Sequence, residues 1–355
     1  MWNTVKNRLH LITGPCSAES EEQVHTIARQ LSEKGLVDTF RAGVWKPRTR
    51  PGTFEGVGEV ALSWLADVQR DYKLRASIEV ANASHVELAL KYGINNFWIG
   101  ARTTVNPFYV QEIADALANT NSTVLVKNPI HPDAELWSGG IERIQKSCGE
   151  KVGAIHRGFS SFQTSQYRNI PRWEIPIELK RRFPDLFLVC DISHIAGKRS
   201  LLHEVAQKAI DLGITGLMIE THPNPTAALS DANQQITVEG LQHIIDTLVQ
   251  KTSGITDATF LNQLEELRAQ IDKIDEDILN AISSRLNLTK EIGTYKKENN
   301  VTVFQLNRWN EILETRGENG KKLNLDNAFV HKLYETIHAE SIRLQTEVVE
   351  QKLPR

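Results

Sequence analysis

Eight short apolar runs in the first 221 residues constrain the fold more than any other feature of this 355-residue chain. Most are nearly continuous in hydrophobic residues, and stretches with helical spacing lie between them. Strands that helices cover on both faces read in this way, so the pattern predicts a parallel sheet. The runs are HLITGPC at 10–16, TFRAGVW at 39–45, RASIEV at 75–80, NFWIG at 96–100, TVLVKN at 123–128, GAIHRG at 153–158, LFLVCDIS at 186–193 and GLMIET at 216–221.

Eight strand–helix units in about 250 residues have the size of a closed (β/α)8 TIM barrel. The alternative is an open doubly wound sheet, which commonly carries a glycine-rich nucleotide loop. The chain has neither a GxGxxG motif nor a Walker-type loop. We therefore predict an α/β fold with a barrel over residues 1–250.

A different pattern follows the small, polar stretch KTSGITDAT at 251–259, which we interpret as a linker. From Leu261 to Lys297 there is no proline, and apolar residues recur with helical spacing. A helix of that length extends roughly 55 Å, so we expect it to pack along a partner. Two shorter helices are predicted near 306–316 and 326–349, separated by the breaker GENGKKLN. Residues 260–355 are thus predicted to form an all-α, three-helix domain.

Charge and cysteine content bound the possible partners. A net charge of −3 gives no reason to expect nucleic acid or a membrane surface as a partner. The three cysteines are too few for a disulfide framework, which indicates a reducing compartment. The N-terminus has no apolar stretch long enough for a signal peptide or a membrane span. We expect a cytoplasmic protein.

Metal-ligating residue types lie where the predicted strands end, which is where barrels carry their active sites. They are Cys16, His194, Glu220 and Asp231. A thiolate, an imidazole and two carboxylates suit a divalent transition ion better than magnesium or calcium. Each residue alone has an ordinary structural explanation, such as a buried thiol or a core histidine. Together at strand ends they predict a metal centre, and Mn, Fe, Co and Zn all tolerate this ligand set.

Six cations are predicted at the same rim: Arg41, Lys46, Arg48, Arg102, Lys127 and Arg157. So many cations in one place require anions, which two phosphorylated substrates would supply. The other two cysteines, Cys148 and Cys190, are assigned structural roles because neither lies at a strand end.

Residues 9–250 resemble 3-deoxy-D-arabino-heptulosonate 7-phosphate synthases, the first enzymes of the shikimate pathway of aromatic amino acid biosynthesis. The segments that carry the resemblance are GPCSAE, RAGVWKPRT, IGART, VKNP, HRGF, DISHIAG, MIETHPNP and SDANQQ. It implies that Cys16, His194, Glu220 and Asp231 bind the metal, that Arg41, Lys46, Arg102, Lys127 and Arg157 hold phosphoenolpyruvate, and that Arg48 and Thr49 hold erythrose 4-phosphate. Octulosonate phosphate synthases, which are related, carry a different motif at KPRT, and this favours the four-carbon sugar.

The reaction implied by this resemblance is an aldol-type condensation. The metal would be a Lewis acid for the aldehyde, and C3 of phosphoenolpyruvate would be the nucleophile. Lys46 is a candidate proton donor. The residues leave one alternative open, in which Lys127 forms a Schiff base as in lysine-dependent aldolases.

Basic residues also mark the long predicted helix. Arg285 and Lys296 are eleven residues apart and share a face, whereas Arg268 lies roughly 100° away around the helix. Arg268 is therefore expected to point toward a different site, such as that of a partner chain. The pattern alone is better explained by the solvated charged face of a dimerisation module.

Residues 260–350 resemble the all-helical chorismate mutases, which are intertwined three-helix dimers, through LEELRAQIDKIDEDIL and the basic residues after it. The resemblance implies a homodimer that rearranges chorismate to prephenate without a metal. Arginines would clamp the two carboxylates, and Lys296 and Gln345 would donate hydrogen bonds to the ether oxygen. The implied site residues are Arg268 from across the dimer, Arg285, Lys296, Arg308, Ser341 and Gln345.

Two positions depart from the mutase pattern. Trp309 stands where the family usually has an acidic residue, and Gln305 replaces an aspartate; both positions normally contact the substrate hydroxyl region. We predict a bifunctional enzyme. The alternative is a synthase whose helical half is catalytically weak and serves as a prephenate sensor or a dimerisation module. Because the barrel begins almost at residue 1, we expect any control by prephenate to come from the helical half.

Overall fold

A computed structural model describes residues 9–46, 52–162, 164–251 and 258–350 of the chain. The chain divides into two compact units, Met1–Ser253 and Gly254–Arg355. Among the described residues, no helix combines the length and the apolar character that a membrane span requires.

The first unit is a closed barrel of eight parallel strands in sequential order. Each predicted apolar run contributes one strand, which confirms the predicted fold class. The strands are β1 His10–Gly14, β2 Thr39–Arg41, β3 Ala76–Val80, β4 Asn96–Ile99, β5 Thr123–Lys127, β6 Val152–His156, β7 Phe187–Asp191 and β8 Gly216–Glu220. Closure comes from the pairing of β1 with β8, which sets Gly14 opposite Glu220.

Two separate apolar layers hold the barrel together. Inside it, Ile12, Trp98, Leu125 and Met218 belong to one buried cluster. A larger cluster lies between the strands and the surrounding helices. Because side chains fill the interior, the barrel has no pore, and ligands must bind at its rim.

Helices follow the strands around the barrel. They are α1 Glu21–Lys34, α2 Val60–Tyr72, α3 Ala83–Lys91, α4 Ala101–Thr104, α5 Pro107–Leu117, α6 Ala134–Cys148, α7 Glu174–Arg182, α8 Ile192–Ala196, α9 Leu202–Asp211 and α10 Val238–Thr247. Side-chain caps set several of their starts: Ser20 accepts from the backbone N–H of Gln23 in α1, and Asp191 accepts from that of His194 in α8.

The described part of the second unit, residues 258–350, contains three helices: α11 Ala258–Glu298, α12 Leu306–Lys322 and α13 Asn327–Glu350. The 41 residues of α11 span about 61 Å. The prediction that GENGKKLN breaks the second helix is wrong, because α12 continues to Lys322. Its glycines face α13, and a Cβ on Gly320 would lie only 2.7 Å from Cγ2 of Val330. These glycines therefore permit close packing of two helices and do not end one.

The apolar residues of α11 remain largely in water. Leu267, Ile271, Ile274 and Ile278 recur at helical spacing, and each is at least half exposed. An apolar stripe this long on one copy of the chain is typical of an interaction surface.

Candidate active sites

Three of the predicted metal ligands converge at the carboxyl ends of β1 and β8. Cys16 follows β1, Glu220 ends β8, and Asp231 lies in the loop after it. One ligand atom from each lies within 4.8 Å of those of the other two. The fourth, His194 in α8, brings its Nε2 to 3.8 Å from Oδ2 of Asp231. The structure thus brings three of the predicted ligands together, with His194 beside two of them, Glu220 and Asp231.

Asp191, which the sequence analysis did not single out, orients the imidazole. Its Oδ1 accepts a hydrogen bond from the backbone N–H of His194, and its Oδ2 lies 2.8 Å from Nδ1 of the ring. A carboxylate on one ring nitrogen fixes the tautomer and frees the other nitrogen for a metal. Asp191 also ends a strand, which is the signal that would have identified it.

The donor set fits a transition metal. Oε2 of Glu220 accepts a hydrogen bond from Gln234 at 2.7 Å, whereas its buried Oε1 accepts none from the described residues and faces the charge of Arg41, whose Nη1 is 3.1 Å away. Asp231 has a positive φ of 48°, a conformation that costs free energy and is typical of functional loops. A buried carboxylate oxygen beside a thiol, an imidazole and a second carboxylate is a ligand arrangement that a divalent cation would complete.

Electrostatics at this point also favour a cation. Burial raises the pKa of the Cys16 thiol to about 11, although Nζ of Lys46 lies 3.2 Å from its sulfur. Burial alone would raise the pKa of Asp231 as well, but His194 and Arg168 hold it below its ordinary value. A bound metal would displace the proton of this thiol, because coordination to a divalent cation stabilises the thiolate.

A cavity of about 80 Å³ is lined by two of the four candidate ligands, His194 and Asp231. The predicted cations Lys46, Arg102, Lys127 and Arg157 line it. Two negative groups, Glu79 and Asp231, line it as well, and the structure thus brings most of the predicted cations to one rim. The predicted residues Arg48 and Thr49 lie outside the described residues.

Arg41 lies behind the cavity and not in its wall. Its side chain is 1% exposed, and Nη1 lies 3.1 Å from Oε1 of the fully buried Glu220. Nη2 donates to the carbonyl oxygen of Cys16 at 3.0 Å, and the guanidinium lies 4.9 Å from the ring centre of Trp98. Arg41 therefore links two of the candidate ligands.

Two further cations have defined partners. Nζ of Lys127 lies 2.8 Å from Oδ2 of Asp191, and both side chains are buried. Arg157 donates to Oδ1 of Asn169 at 2.7 Å. Burial lowers the pKa of Arg157 to about 10, so it stays charged at neutral pH.

Arg168 is a cavity residue that sequence reasoning missed. Its Nη1 lies 3.0 Å from Oδ2 of Asp231 and donates to Oε1 of Gln234 at 2.7 Å. The residue comes from the long loop between β6 and α7, which has neither strand nor helix periodicity. No signal in the single sequence separates it from the other polar residues of that loop.

The helical unit contains a larger cavity, of about 450 Å³. Five of the six predicted mutase residues line it: Arg285, Lys296, Arg308, Ser341 and Gln345. Arg268 does not, since its guanidinium pairs with Glu265 one turn away on α11. His338, which the sequence analysis did not propose, lines the cavity together with Trp309.

Contacts inside this cavity hold its cations in place. Nη1 of Arg285 donates to Oγ of Ser341 at 2.7 Å, and Nζ of Lys296 donates to the carbonyl oxygen of Val303 at 2.6 Å. Oε1 of Gln345 is buried and accepts no hydrogen bond from the described residues. The cavity thus offers fixed positive charge and an unused polar atom to a ligand.

Comparisons with known proteins identify a family for each of the two units. The model of the DAHP synthetase I family matches residues 3–257, and that of chorismate mutase type II matches residues 267–346. A phospho-2-dehydro-3-deoxyheptonate aldolase of Thermotoga maritima is 30% identical over 248 residues, which cover 70% of each chain. A solved structure of a DAHP synthase from Thermotoga maritima has a TM-score of 0.61 at 29% identity and covers 68% of each chain. A 4-amino-4-deoxychorismate mutase of Streptomyces pristinaespiralis is 32% identical over 90 residues, 25% of this chain and 70% of the relative.

Proposed function

The chain belongs to the DAHP synthetase I family and carries a second, chorismate mutase domain, and we propose from this that its barrel joins phosphoenolpyruvate to erythrose 4-phosphate while its helical unit converts chorismate to prephenate. The enzyme is bifunctional and fits the shikimate pathway of aromatic amino acid biosynthesis. The convergence of Cys16, Glu220 and Asp231 beside a cation-lined cavity is the observation that carries the proposal for the barrel.

The cavity cations suit the two anionic groups of phosphoenolpyruvate. Lys46, Arg102, Lys127 and Arg157 line it and would hold the phosphate and the carboxylate, while Arg41 lies behind the cavity, paired with Glu220. Fixing this substrate at several points brings its C3 into reach of the aldehyde with little further loss of entropy. Arg48 and Thr49 are proposed to bind the phosphate of erythrose 4-phosphate.

A divalent transition metal, Mn, Fe, Co or Zn, is the proposed cofactor, held by Cys16, His194, Glu220 and Asp231. When bound it would supply Lewis acidity to the aldehyde. Nζ of Lys46, 3.2 Å from the sulfur of Cys16, is well placed to give a proton to the developing alkoxide.

A Schiff base on Lys127 fits the geometry less well. Its amine lies 2.8 Å from the buried carboxylate of Asp191, and this ion pair would have to break before the amine could attack a carbonyl carbon. Lys127 is therefore proposed to bind an anion.

Measuring the loss of phosphoenolpyruvate together with phosphate release tests the barrel reaction. We expect turnover with erythrose 4-phosphate and much slower turnover with a five-carbon aldose phosphate. The proposal fails if the metal-loaded protein consumes the five-carbon sugar phosphate and leaves erythrose 4-phosphate unchanged.

The helical unit is proposed to act as a homodimer. The half-exposed stripe of α11 would be buried against a second copy, which would also bring Arg268 of that copy to the cavity. Chorismate is a dicarboxylate, and Arg285 and Arg308 line the cavity as counter-charges. The relative from Streptomyces is named for an amino analogue, but the cationic lining here favours chorismate.

The absorbance of chorismate measures this second reaction directly. We expect the full-length protein to consume chorismate and an Arg285→Met variant to lose most of that activity with its synthase activity intact. Absence of turnover together with prephenate binding would instead support the sensor, and absence of both would leave only dimerisation.

Control of the synthase by prephenate is proposed as a further property of the helical unit. Synthase kinetics of the full-length protein with and without prephenate test it, and unchanged kinetics would reject it. The predicted cytoplasmic location stays a prediction.

A further inference from the structure

His338 lines the cavity of the helical unit and has no role yet in the proposed reaction. Along α13 it precedes Ser341 by three residues and Gln345 by seven, so the three side chains share one face of the helix. All three line the cavity. His338 therefore faces the same ligand as two of the proposed site residues.

The imidazole is held in a defined position. It stacks on Trp309 with ring centroids 4.0 Å apart and an interplanar angle of 15°, and the edge of Phe304 packs at 6.0 Å. Its Nε2 is buried and forms no hydrogen bond with any described residue. A buried polar atom without a partner costs free energy, and a ligand in the cavity is the available source of a partner.

The ring is neutral at physiological pH. Burial lowers the pKa of His338, and the positive charges of Arg285 and Lys296 lower it further. A neutral imidazole both donates and accepts a hydrogen bond, which matches a hydroxyl group.

The positive charges of the cavity wall disfavour a substrate that carries an ammonium group. Arg285, Lys296 and Arg308 are cationic, and no carboxylate is among the described residues of the lining. An ammonium group on the ligand would lose its water close to three positive charges, and the one carboxylate that the described chain pairs with them, that of Glu311 on Arg308, is not in the lining. A hydroxyl at the same place meets no such penalty.

The cavity wall offers a partner for each polar group of the substrate. Two carboxylates of a rearranging enol ether would take the arginines, and the ether oxygen would take Lys296 and Gln345. The ring hydroxyl then remains, and His338 remains in the wall. Building on the proposed mutase function, we propose that the cavity selects a hydroxyl-bearing over an ammonium-bearing dicarboxylate, and that His338, stacked on Trp309, hydrogen-bonds that hydroxyl.

Rates with chorismate and with 4-amino-4-deoxychorismate, measured on the full-length protein, test the inference. The wild type should favour chorismate by at least about tenfold in kcat/KM, about the value of one good hydrogen bond. His338→Leu should lower kcat/KM for chorismate by about tenfold, mainly through KM, because the bond forms before and during the reaction. The matched His338→Gln variant, which keeps a donor, should retain most of the activity.

A gain-of-function variant completes the test. Trp309→Glu restores the acidic residue that the resembled mutases usually carry near the substrate hydroxyl. Because a carboxylate only accepts a hydrogen bond from a hydroxyl but forms an ion pair with an ammonium group, this variant should raise the preference for the amino substrate by about tenfold or more. This ratio is informative even if His338→Leu does not fold. Equal kcat/KM of His338→Leu and the wild type, or a wild-type preference for the amino substrate, would overturn the inference. Turnover of neither substrate by the wild type would instead reject the mutase function itself.

Discussion

Removing the charge of Arg41 should destabilise the barrel strongly. Arg41 and Glu220 are both almost fully buried, and Nη1 and Oε1 are 3.1 Å apart. At an effective dielectric constant of about 20, two unit charges at that separation attract by about 5 kcal/mol. Arg41→Met keeps the length of the side chain but leaves the Glu220 carboxylate unpaired. We expect the free energy of unfolding to fall by about 3–5 kcal/mol, which is the usual cost of removing one partner of a buried ion pair.

The assay is chemical denaturation followed by fluorescence of the barrel tryptophans, after treatment with a chelator. The chelator is necessary because a cation bound at the candidate centre would neutralise Glu220 in the variant and mask the loss. Under metal-free conditions the unfolding midpoint of Arg41→Met should be clearly lower than that of the wild type.

Two variants test the reasoning. Arg41→Met combined with Glu220→Gln removes both charges and should regain most of the lost stability. Arg70→Met removes an exposed arginine that pairs with Asp67 and should leave the midpoint almost unchanged. If Arg41→Met costs less than about 1 kcal/mol, or if the double variant is no more stable than the single one, unpaired buried charge is not the cause.

Three further results are expected. Borohydride added during turnover should leave Lys127 unmodified, because its amine is paired with Asp191; a covalent adduct found there by mass spectrometry would support the Schiff-base alternative. Gly320→Ala should destabilise the helical unit by about 1–3 kcal/mol in thermal unfolding, because the new methyl group would lie 2.7 Å from Val330. Gly139→Ala, the matched change in open space within α6, should instead be neutral or stabilise by up to about 1 kcal/mol. Chelation should abolish synthase activity and leave chorismate turnover unchanged, and re-addition of one of the four metals should restore the synthase; equal loss of both activities would contradict separate sites.

The strands were predictable because parallel strands are buried on both faces. All of the residues of β1, β7 and β8 are buried, so each reads as an apolar run. The position of Asp191 at the end of β7 is likewise visible in the sequence, but its partners are not. Only the structure shows that this carboxylate is paired with both Lys127 and His194.

Glycines in the helical unit show a second reason why local sequence patterns mispredict structure. Gly317 and Gly320 predict a break in any local analysis, since glycine is unfavourable inside helices. Their burial against α13 reverses that preference, because tertiary packing outweighs local propensity. Arg168 was equally invisible, since its role depends on where a loop without periodicity brings its guanidinium.

Barrel closure and the candidate metal centre depend on each other. Cys16 and Glu220 are about two hundred residues apart, and they are neighbours only because β1 pairs with β8 and sets Gly14 opposite Glu220. In an open doubly wound sheet no such first-to-last pairing would exist, and the thiol and the carboxylate would be separated. Gly14 itself has φ of 146°, and a Cβ there would lie 2.1 Å from the carbonyl oxygen of Arg41. The absence of a side chain at that position thus lets β2 approach and brings the ligands and their supporting guanidinium together.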